Sequence, residues 1–365
     1  MRRGLRRRSI RGPAFGMASI RHTMRPASDP ERWQLELPRG HAPRGVGGHR
    51  RTTVAVIIPT FKRPEMLMNL LLTLRDGKRI PDEVIVVDND PEGSANPAEI
   101  AGLQVQVVHA GLGISLSGAR NVGWRLAQSD LCIFIDDDNE VEPEAVSEME
   151  EALRDPGVGL VGPVIFAGES GTVWCAGISR SPWTGQTRCI LGGESTMPVA
   201  TSWPTDDMPD AFAIPRDVLQ ATGGFDEKRF PIHYDEADLC ARIRGLGLRS
   251  IVARDARVRH YGWVGLSPGS AMVRATTHHG IERGKQMVLS RIRFHFTHST
   301  APQKLSTFAV CLPIWAVLTS LGCLRADETW AVRLETVWAV FTGMVAGYRE
   351  SLEALTKRAI KIPGT

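Results

Sequence analysis

Apolar residues fall into strand-like runs and helix-like repeats that alternate from residue 52 onward. Residues 54–58 are all apolar and mostly β-branched, which is typical of a strand buried on both faces of a parallel sheet. Four leucines then repeat at helical spacing between Pro64, which suits a first helical turn, and Gly77, which suits a helix end. The alternation continues with strands at 84–87, 105–108 and 131–135 and a helix at 116–128. It predicts an α/β fold whose mostly parallel sheet carries helices on both faces.

Beyond the fourth strand the pattern is less regular. Residues 158–215 are rich in Gly and Pro and predict short strands and loops. A helix is predicted at 237–245, and a strand at 251–258 ends close to His260. These changes divide the chain into a disordered basic tail (1–51), an α/β domain (52–264), a helical connector (265–304), apolar membrane-associated helices (305–350) and a C-terminal tail (351–365).

The composition is that of a folded protein whose charge is unevenly distributed. With 42% hydrophobic residues among 365, the chain is neither disordered nor collagen-like, and it can bury a large core without disulfides. Residues 1–51 hold thirteen arginines against three acidic residues, so the net charge of +4 hides a basic tail on an acidic body. Such a tail is typical of a disordered segment. Targeting, contact with nucleic acid, or a predicted translation start that lies too far upstream would also explain it. The six cysteines lack metal-binding spacing, which indicates free thiols in a reducing compartment.

Two apolar stretches follow the α/β domain. Residues 305–324 contain no charge and would reach about 30 Å as a helix, the thickness of a bilayer core. Residues 336–348 are too few to span and suit an interfacial or re-entrant helix. By the positive-inside rule, the preceding basic residues keep the domain on the cytoplasmic face of the membrane; they are Arg283, Lys285, Arg291, Arg293 and Lys304. The alternative is a soluble cytoplasmic protein in which these helices pack on the domain.

Polar residues collect where the predicted parallel strands end. Thr60, Asp88 and His109 follow the first three strands, and the triplet Asp136–Asp138 follows the fourth. Ligands of open α/β sheets bind at this edge. Three neighbouring carboxylates repel one another, and a divalent cation with oxygen ligands, Mg²⁺ or Mn²⁺, removes that penalty and can also hold a diphosphate. A solvated acidic turn is the alternative interpretation.

Three further features suggest catalysis or anion binding. Asp235 and Glu236 stand just ahead of an amphipathic helix, where a carboxylate either stabilises the helix start or acts as a general base. A Gly-rich turn within residues 113–121 opens a helix that carries Arg120, a combination suited to an anion. His260 closes a strand, and it is either structural or a nitrogen ligand for the same cation.

Taken in order, these motifs resemble the family 2 glycosyltransferases of the GT-A fold. The similarity covers residues 54–263, over half of the chain, and rests on six motifs in the family's order. They are Val56–Arg63, Val86–Asn89, Gly118–Asn121, Asp136–Asp138, Gly223–Glu227 and Tyr234–Cys240. The resemblance implies a GT-A-type nucleotide-diphospho-sugar transferase fold for the α/β domain and an inverting, metal-dependent transfer of a sugar.

The resemblance also implies roles for individual residues. Those implied in binding a nucleotide-diphospho-sugar donor are Pro59, Thr60, Arg63, Asp88, Arg120, Asp136 and Asp137. Among them, Asp88 would meet the base, Asp136 the ribose and Arg120 the diphosphate. Mg²⁺ or Mn²⁺ would be held by Asp138 and Asp136, with His260 at a position that is a metal ligand in some members. The family's base is usually the second acid of a Glu-Asp pair, which gives Glu236 that role; the reversed order here leaves Asp235 as a competitor.

The acceptor is the part of the reaction that the sequence constrains least. Trp174 and Trp183 suit stacking on sugar rings, and Asp210 and Tyr234 are further candidates for acceptor contact. The apolar region 305–348 favours a glycan or lipid-linked cell-envelope acceptor met at the membrane. The expected reaction is an in-line displacement in which the base deprotonates an acceptor hydroxyl.

Three other functions remain as alternatives. A nucleotidyltransferase shares the sheet and the acidic metal site, but its Gly-rich loop is missing after the first strand, where Pro59–Pro64 stands. An inactive relative that serves as a membrane or assembly partner would not need the intact carboxylates. A nucleic-acid binder acting through the Arg-rich tail is disfavoured by the acidic body, so no nucleic-acid partner is expected.

Overall fold

The computed structural model describes residues 51–93, 95, 102–111, 113–262 and 268–360. The predicted basic tail lies outside these residues except for Arg51. The strands are β1 (Val54–Thr60), β2 (Glu83–Asp88), β3 (Val105–His109), β4 (Leu131–Ile135), β5 (Asn139–Val141), β6 (Val158–Ala167), β7 (Val173–Cys175), β8 (Ile178–Arg180), β9 (Thr187–Cys189), β10 (Ser202–Pro204), β11 (Ala211–Pro215) and β12 (Arg249–His260). The helices are α1 (Pro64–Arg75), α2 (Leu116–Leu126), α3 (Ala145–Ala152), α4 (Arg216–Thr222), α5 (Asp235–Gly245), α6 (Pro268–His279), α7 (Ile281–His298), α8 (Ala301–Ser306), α9 (Leu312–Leu324) and α10 (Trp330–Ile360).

One sheet of ten strands forms the centre of the described structure. Eight strands lie in the order β10-β12-β6-β11-β4-β1-β2-β3, while β5 pairs with β12 and β7 with β6. Strands β1 to β4 are parallel, and β11 runs antiparallel between β4 and β6. Strand β6 is antiparallel to β11 and therefore has the same direction as β1. Strand β12 is parallel to β6 and has this direction too. The antiparallel insertion of β11 differs from the simple alternation that the sequence predicts, because a buried apolar run has the same pattern in either direction.

The side chains of β1 alternate between two apolar cores. Val54, Val56 and Ile58 pack on the side of α1 and α3, whereas Ala55 and Ile57 pack on the side of α2, α4 and α5. This is the two-residue period of a strand, and it explains why every position of β1 is apolar or buried. The helices on both faces leave the carboxyl ends of β1, β2 and β4 at one edge of the sheet.

The C-terminal helices build a separate apolar cluster. Helices α6, α7, α9 and α10 enclose Met272, Val288, Ile292 and Val340 among others. Helices α8 and α9 are continuous through a π-helical turn at Thr307–Cys311, just before Pro313, whose missing N–H cannot complete an α-helical ladder.

The bounds of two C-terminal helices can be compared with the predicted apolar segment 305–350 and the predicted tail 351–365. In the described part of the chain, residues 301–324 form the one helix that is long and apolar enough to cross a membrane. Helix α10 continues to Ile360, so the segment expected to be a tail from residue 351 is helical up to that point.

Candidate active site

The acidic triplet occupies the turn after β4. Asn139 stabilises this turn, because its backbone and side-chain N–H groups both donate to the Asp136 carbonyl, at 3.2 and 3.0 Å. The N–H of Asp136 donates to the Asp210 carbonyl at 3.0 Å, which ties the turn to the residue before β11. The three carboxylates of the triplet project from this turn toward different partners.

Arg120 connects the triplet to the second acidic pair. Its Nη2 donates to Asp136 at 2.9 Å, and its Nη1 donates to Asp235 at 2.8 Å and to Glu236 at 2.6 Å. The guanidinium is fully buried and lies over two phenylalanine rings. Burial opposes its charge, but the carboxylates outweigh burial and raise the pKa of Arg120. In this arrangement Arg120 holds two acidic motifs together and does not present a free guanidinium to a diphosphate.

Asp235 and Glu236 begin α5, after two residues in left-handed backbone, His233 (φ 63°) and Tyr234 (φ 65°). Burial and the adjacent Glu236 charge raise the pKa of Asp235 well above its usual range. Burial also acts on Glu236, but the Arg120 charge and a hydrogen bond from Asp235 outweigh it and lower the pKa of Glu236. Asp235, whose pKa is raised, thus stands beside a partly accessible Glu236 whose pKa is lowered, the relation that a general base at Glu236 requires.

Asp137 faces the end of β1. It accepts hydrogen bonds from Thr60 Oγ1 at 2.7 Å and from Arg63 Nη1 at 3.0 Å, and the same Nη1 donates to Asp138 at 2.8 Å. Burial raises the pKa of Asp137 to about 6, although the hydrogen bond from Thr60 opposes this. The structure therefore brings Thr60, Arg63 and Asp137 together, with the Arg63 side chain 45% exposed at the surface of the site.

His260 ends β12 beside two carboxylates. Its Nδ1 lies 3.5 Å from Asp138 Oδ1 and 3.5 Å from Asp210 Oδ2, and its ring stacks on Trp174 with centroids 4.5 Å apart. Burial opposes a charge on the ring, but the neighbouring carboxylates of Asp138 and Asp210 outweigh it and raise the pKa of His260. Burial raises the pKa of Asp210 to about 8. The predicted neighbours His260 and Asp138 do meet, and Asp210 joins them.

The side chains around His260 fit a divalent cation. No group of three or more His, Cys, Asp or Glu side chains in the described ranges has the arrangement of a preformed metal site. His260 Nδ1, Asp210 Oδ2 and Asn139 Oδ1 are nevertheless buried without a hydrogen-bond partner, which is unusual for polar atoms. Carboxylate oxygens with one imidazole nitrogen suit Mg²⁺ or Mn²⁺ and not a soft metal. The donor set at Asp138 and His260 is thus compatible with the expected cation.

Asp88 and Pro59, both predicted to bind the donor, make contacts inside the fold. Asp88 is fully buried, and its two carboxylate oxygens accept from the N–H groups of Asp90 and Ala95, both at 2.9 Å. Pro59 lies inside β1, opposite Val87 of β2. The Asp88 carboxylate therefore shapes the loop after β2 and is not open toward a nucleobase here.

The four residues considered for acceptor contact do not form one surface. Asp210 and Trp174 lie at His260, as described. The carbonyl of Trp183 accepts from Ser306 Oγ at 3.0 Å, beside the apolar helix 301–324, and its indole is largely exposed. The hydroxyl of Tyr234 accepts from an arginine of α7.

Two arginines near Tyr234 were not identified from the sequence. Arg180 lies over the Tyr234 ring at 4.7 Å and pairs with Asp207 at 2.8 Å. Arg291, on α7, donates to the Tyr234 hydroxyl at 3.2 Å. Neither stands in a motif: Arg180 ends β8 and Arg291 lies on α7, and only the tertiary packing of these elements brings them to Tyr234.

Comparison with known proteins shows what this chain is similar to. The family model described as glycosyl transferase family 2 matches residues 55–223. The predicted resemblance to family 2 glycosyltransferases is confirmed over this segment, which is just under half of the chain. The predicted α/β fold, with a mostly parallel sheet, helices on both of its faces and an apolar C-terminal helix, is confirmed.

Particular relatives are similar over parts of their length. Hyaluronan synthase of Pasteurella multocida is 32% identical over 121 residues, which cover 32% of this chain and 12% of that protein. Undecaprenyl-phosphate mannosyltransferase of Micrococcus luteus is 29% identical over 147 residues, 38% of this chain and 60% of that protein. The chain thus spans less than two thirds of these curated relatives. The solved mannosyltransferase PcManGT of Pyrobaculum calidifontis, in complex with GDP-Man and Mn²⁺, aligns over 90% of this chain and 84% of its own at 16% identity and a TM-score of 0.48.

Proposed function

We propose that the chain is an inverting glycosyltransferase that moves a sugar from a nucleotide-diphospho-sugar to a hydroxyl of a glycan or lipid-linked cell-envelope acceptor. The observation that carries this proposal is the buried Arg120, which joins Asp136 of the triplet to Asp235 and Glu236. Through Arg120, the Glu236 carboxylate is held close to Asp136, one of the residues proposed to bind a divalent cation. A sugar transfer needs both, a base for the hydroxyl and positive charge for the leaving diphosphate.

Glu236 is the proposed base. It takes the proton of the acceptor hydroxyl, whose oxygen attacks the anomeric carbon as the bond to the diphosphate breaks, so that the configuration inverts. Asp235 keeps its own proton and donates it in a hydrogen bond to Glu236, which orients the base. Arg120 keeps Glu236 ionised. In this mechanism Arg120 acts on the base, whereas the sequence suggested a contact with the diphosphate.

Asp138, Asp136 and His260 would hold Mg²⁺ or Mn²⁺. When bound, the cation supplies Lewis-acid charge for the departing diphosphate. Arg63 contributes a fixed positive charge at the same edge, through its hydrogen bonds to Asp137 and Asp138. Thr60 orients Asp137 from the end of β1.

The test is a donor panel followed by substitution of the base. The protein is incubated with UDP-, GDP- and dTDP-sugars, an extract of glycan and lipid-linked acceptors, and Mn²⁺ or Mg²⁺, and released nucleoside diphosphate is measured. Glu236→Gln should lower transfer by about 10²- to 10⁴-fold, the usual contribution of a general base, and leave nucleotide binding intact. Glu151→Gln is the matched control, because Glu151 pairs with Arg154 at the surface, where both side chains are more than half exposed.

Several outcomes would change the proposal. Near-normal turnover of Glu236→Gln together with an inactive Asp235→Asn would move the base to Asp235. Release of inorganic diphosphate from nucleoside triphosphates and sugar phosphates would identify a nucleotidyltransferase. Absence of turnover and of nucleotide binding with every donor and both metals would leave an inactive relative.

Membrane association through residues 305–348 is part of the proposal. The helix at 301–324 is long and apolar enough to cross a membrane, and most of its apolar stretch is not buried inside the fold. The basic residues expected to face the cytoplasm are in part used inside the fold, because Arg293 pairs with Glu350 and Arg291 donates to the Gly185 carbonyl. Support for the membrane therefore comes from the exposed apolar side chains, and a cytoplasmic face is the side on which nucleotide sugars would be met.

A further inference from the structure

Helix α7 presents one face to the start of α5. Ser290 Oγ donates to the Ile232 carbonyl at 3.3 Å, and Arg291 Nη1 donates to the Tyr234 hydroxyl at 3.2 Å. Arg283 lies seven and eight positions before these residues, which puts it on the same face two turns earlier. The Asp235 charge acts on the pKa of Arg283 and raises it in part. Arg283 therefore stands near the proposed base, although it lies outside the segment matched by the family.

Arg283 lacks the partners that the other cations of α7 have. Lys285 pairs with Glu282, Arg293 pairs with Glu350, and Arg291 donates to a carbonyl and a hydroxyl. The Nε of Arg283 is buried without a hydrogen-bond partner, and no carboxylate of the described residues lies within ion-pair distance. Burial lowers the pKa of Arg283 to about 10, and Asp235 offsets part of this effect. A desolvated, unpaired guanidinium is costly, and an anion that joins it would remove the cost.

The carboxylate-rich site also requires such a cation. Asp136, Asp137, Asp138, Asp210, Asp235 and Glu236 surround the proposed reaction centre. Both Nη atoms of Arg120 are held by carboxylates, and Arg63 is hydrogen-bonded to Asp137 and Asp138. A phosphate-type anion that approaches Glu236 would meet net negative charge unless a further positive group lies there. Among the arginines of α7, Arg283 is the one whose guanidinium has no carboxylate, carbonyl or hydroxyl partner in the described part of the chain.

We propose that Arg283 binds a phosphate group of the substrate beside Glu236, and specifically the diphosphate of the donor. This inference rests on the proposed function. A planar guanidinium makes paired hydrogen bonds to phosphate oxygens, which fixes the leaving group as well as attracting it. The same chemistry would suit a phosphate carried by a lipid-linked acceptor, so the experiment separates the two sources.

The experiment compares Arg283→Gln with wild type by calorimetry in Mn²⁺, with inorganic pyrophosphate, UDP, GDP and uridine as probes. The variant should bind pyrophosphate and the preferred nucleoside diphosphate about 10- to 100-fold more weakly, the range expected for charge-assisted hydrogen bonds, with uridine affinity unchanged. Arg283→Lys should recover part of the loss. Lys285→Gln, next to it on α7 and paired with Glu282, should bind all probes like wild type.

A thermal melt distinguishes binding from a structural role. If Arg283 is an unpaired buried charge, Arg283→Gln should melt at or above the wild-type temperature without ligand, and pyrophosphate should raise its melting temperature less. A variant that melts lower and keeps wild-type pyrophosphate affinity would overturn the proposal.

A last arm uses phosphatidylcholine vesicles with and without phosphatidic acid. Selective loss of binding to phosphatidic acid in Arg283→Gln, with unchanged pyrophosphate affinity, would assign the phosphate to the acceptor and overturn the donor assignment. If wild type binds none of pyrophosphate, UDP and GDP, and also turns over no donor of the panel, the proposed function fails. If wild type binds them and Arg283→Gln binds them equally, only the assignment of Arg283 fails.

Discussion

At the residue scale, Arg120 is the contact on which the arrangement of the site depends. Its charge is surrounded by Asp136, Asp235 and Glu236 and shielded from water. Removing one partner of a buried ionic network leaves the others unpaired, at a cost of about 3–5 kcal/mol. We therefore expect Arg120→Met to lower the free energy of unfolding by about that amount, measured by urea denaturation.

The control for Arg120 is a surface arginine. Arg154 pairs with Glu151 on the exposed side of α3, so Arg154→Met should change stability by no more than about 0.5 kcal/mol. Equal effects of the two substitutions would show that the Arg120 network contributes little to stability, and that its conformation is set by the surrounding packing.

A second prediction at this scale concerns pH. His295 on α7 is almost fully buried, and its Nε2 has no hydrogen-bond partner. Burial and the charges of Arg291 and Arg180 lower the pKa of His295 to about 3. The unfolded chain takes up this proton below about pH 6.5, while the folded protein does so only near pH 3. Stability should therefore fall as the pH drops through this window, by about 1.4 kcal/mol per pH unit from this residue alone.

The measurement is the free energy of unfolding at pH 7 and pH 5 for wild type and His295→Gln. The variant should lose about 2 kcal/mol less than wild type between these two pH values, whatever its stability at pH 7. Indistinguishable pH profiles would mean that His295 is protonated in the folded protein.

At the element scale, the approach of α2 to β1 depends on one glycine. A Cβ added at Gly123 would lie 2.3 Å from Ile57 Cγ2, in a core where every side chain of β1 is buried. Such overpacking typically costs about 1–3 kcal/mol. Gly123→Ala should lower the thermal midpoint accordingly, and Ile57→Ala in the same chain should recover part of the loss by opening space. Gly245→Ala, at the end of α5 with nothing within 4 Å, is the control and should be neutral or slightly stabilising.

At this scale the sequence patterns predict most of the strands but not their directions. Runs such as 54–58 and 131–135 predict β1 and β4 because a doubly buried strand must be apolar throughout. The patterns cannot assign the direction of β11, because burial leaves the same signature in both directions. They also place Asp136–Asp138 at the edge where the parallel strands end, whereas Glu236 is assigned to the same site only through the family resemblance.

The local sequence pattern does not predict which side chains the arginines of the site contact. Arg120 follows a Gly-rich turn, as an anion-binding residue would, yet the fold fills its neighbourhood with carboxylates from β4 and α5. Arg283 carries no motif and reaches the site only because α7 packs on α5. Both cases depend on contacts between residues far apart in the sequence, 115 positions for Arg120 with Asp235 and 57 for Arg291 with Tyr234, where α7 meets the start of α5.

At the scale of the whole molecule, the C-terminal helices pack inward on one face and leave apolar side chains in solvent on the other. Their inner side chains form the cluster around Val288 and Ile292. The exposed ones repeat at helical spacing: Ile314, Val317, Leu318 and Leu321 on α9, and Trp330, Leu334, Trp338, Phe341 and Val345 on α10. Soluble surfaces rarely carry so many large apolar side chains on two helices, and a lipid surface is the partner that our proposed function requires.

The corresponding prediction concerns vesicle binding by the full-length chain. Wild type should sediment with vesicles of phosphatidylcholine and phosphatidylglycerol, and the triple variant Leu318→Ser, Trp338→Ser, Phe341→Ser should bind at least about 100-fold more weakly, because each buried apolar side chain contributes about 1.5–3 kcal/mol. Val199→Ser is the control, an exposed apolar residue that precedes β10 and should not matter. The triple variant should keep its unfolding free energy, since all three side chains are more than half exposed. Unchanged vesicle binding together with a smaller oligomer in the variant would assign the apolar faces to contacts between copies of the chain, and the acceptor would then not need to be met at a membrane.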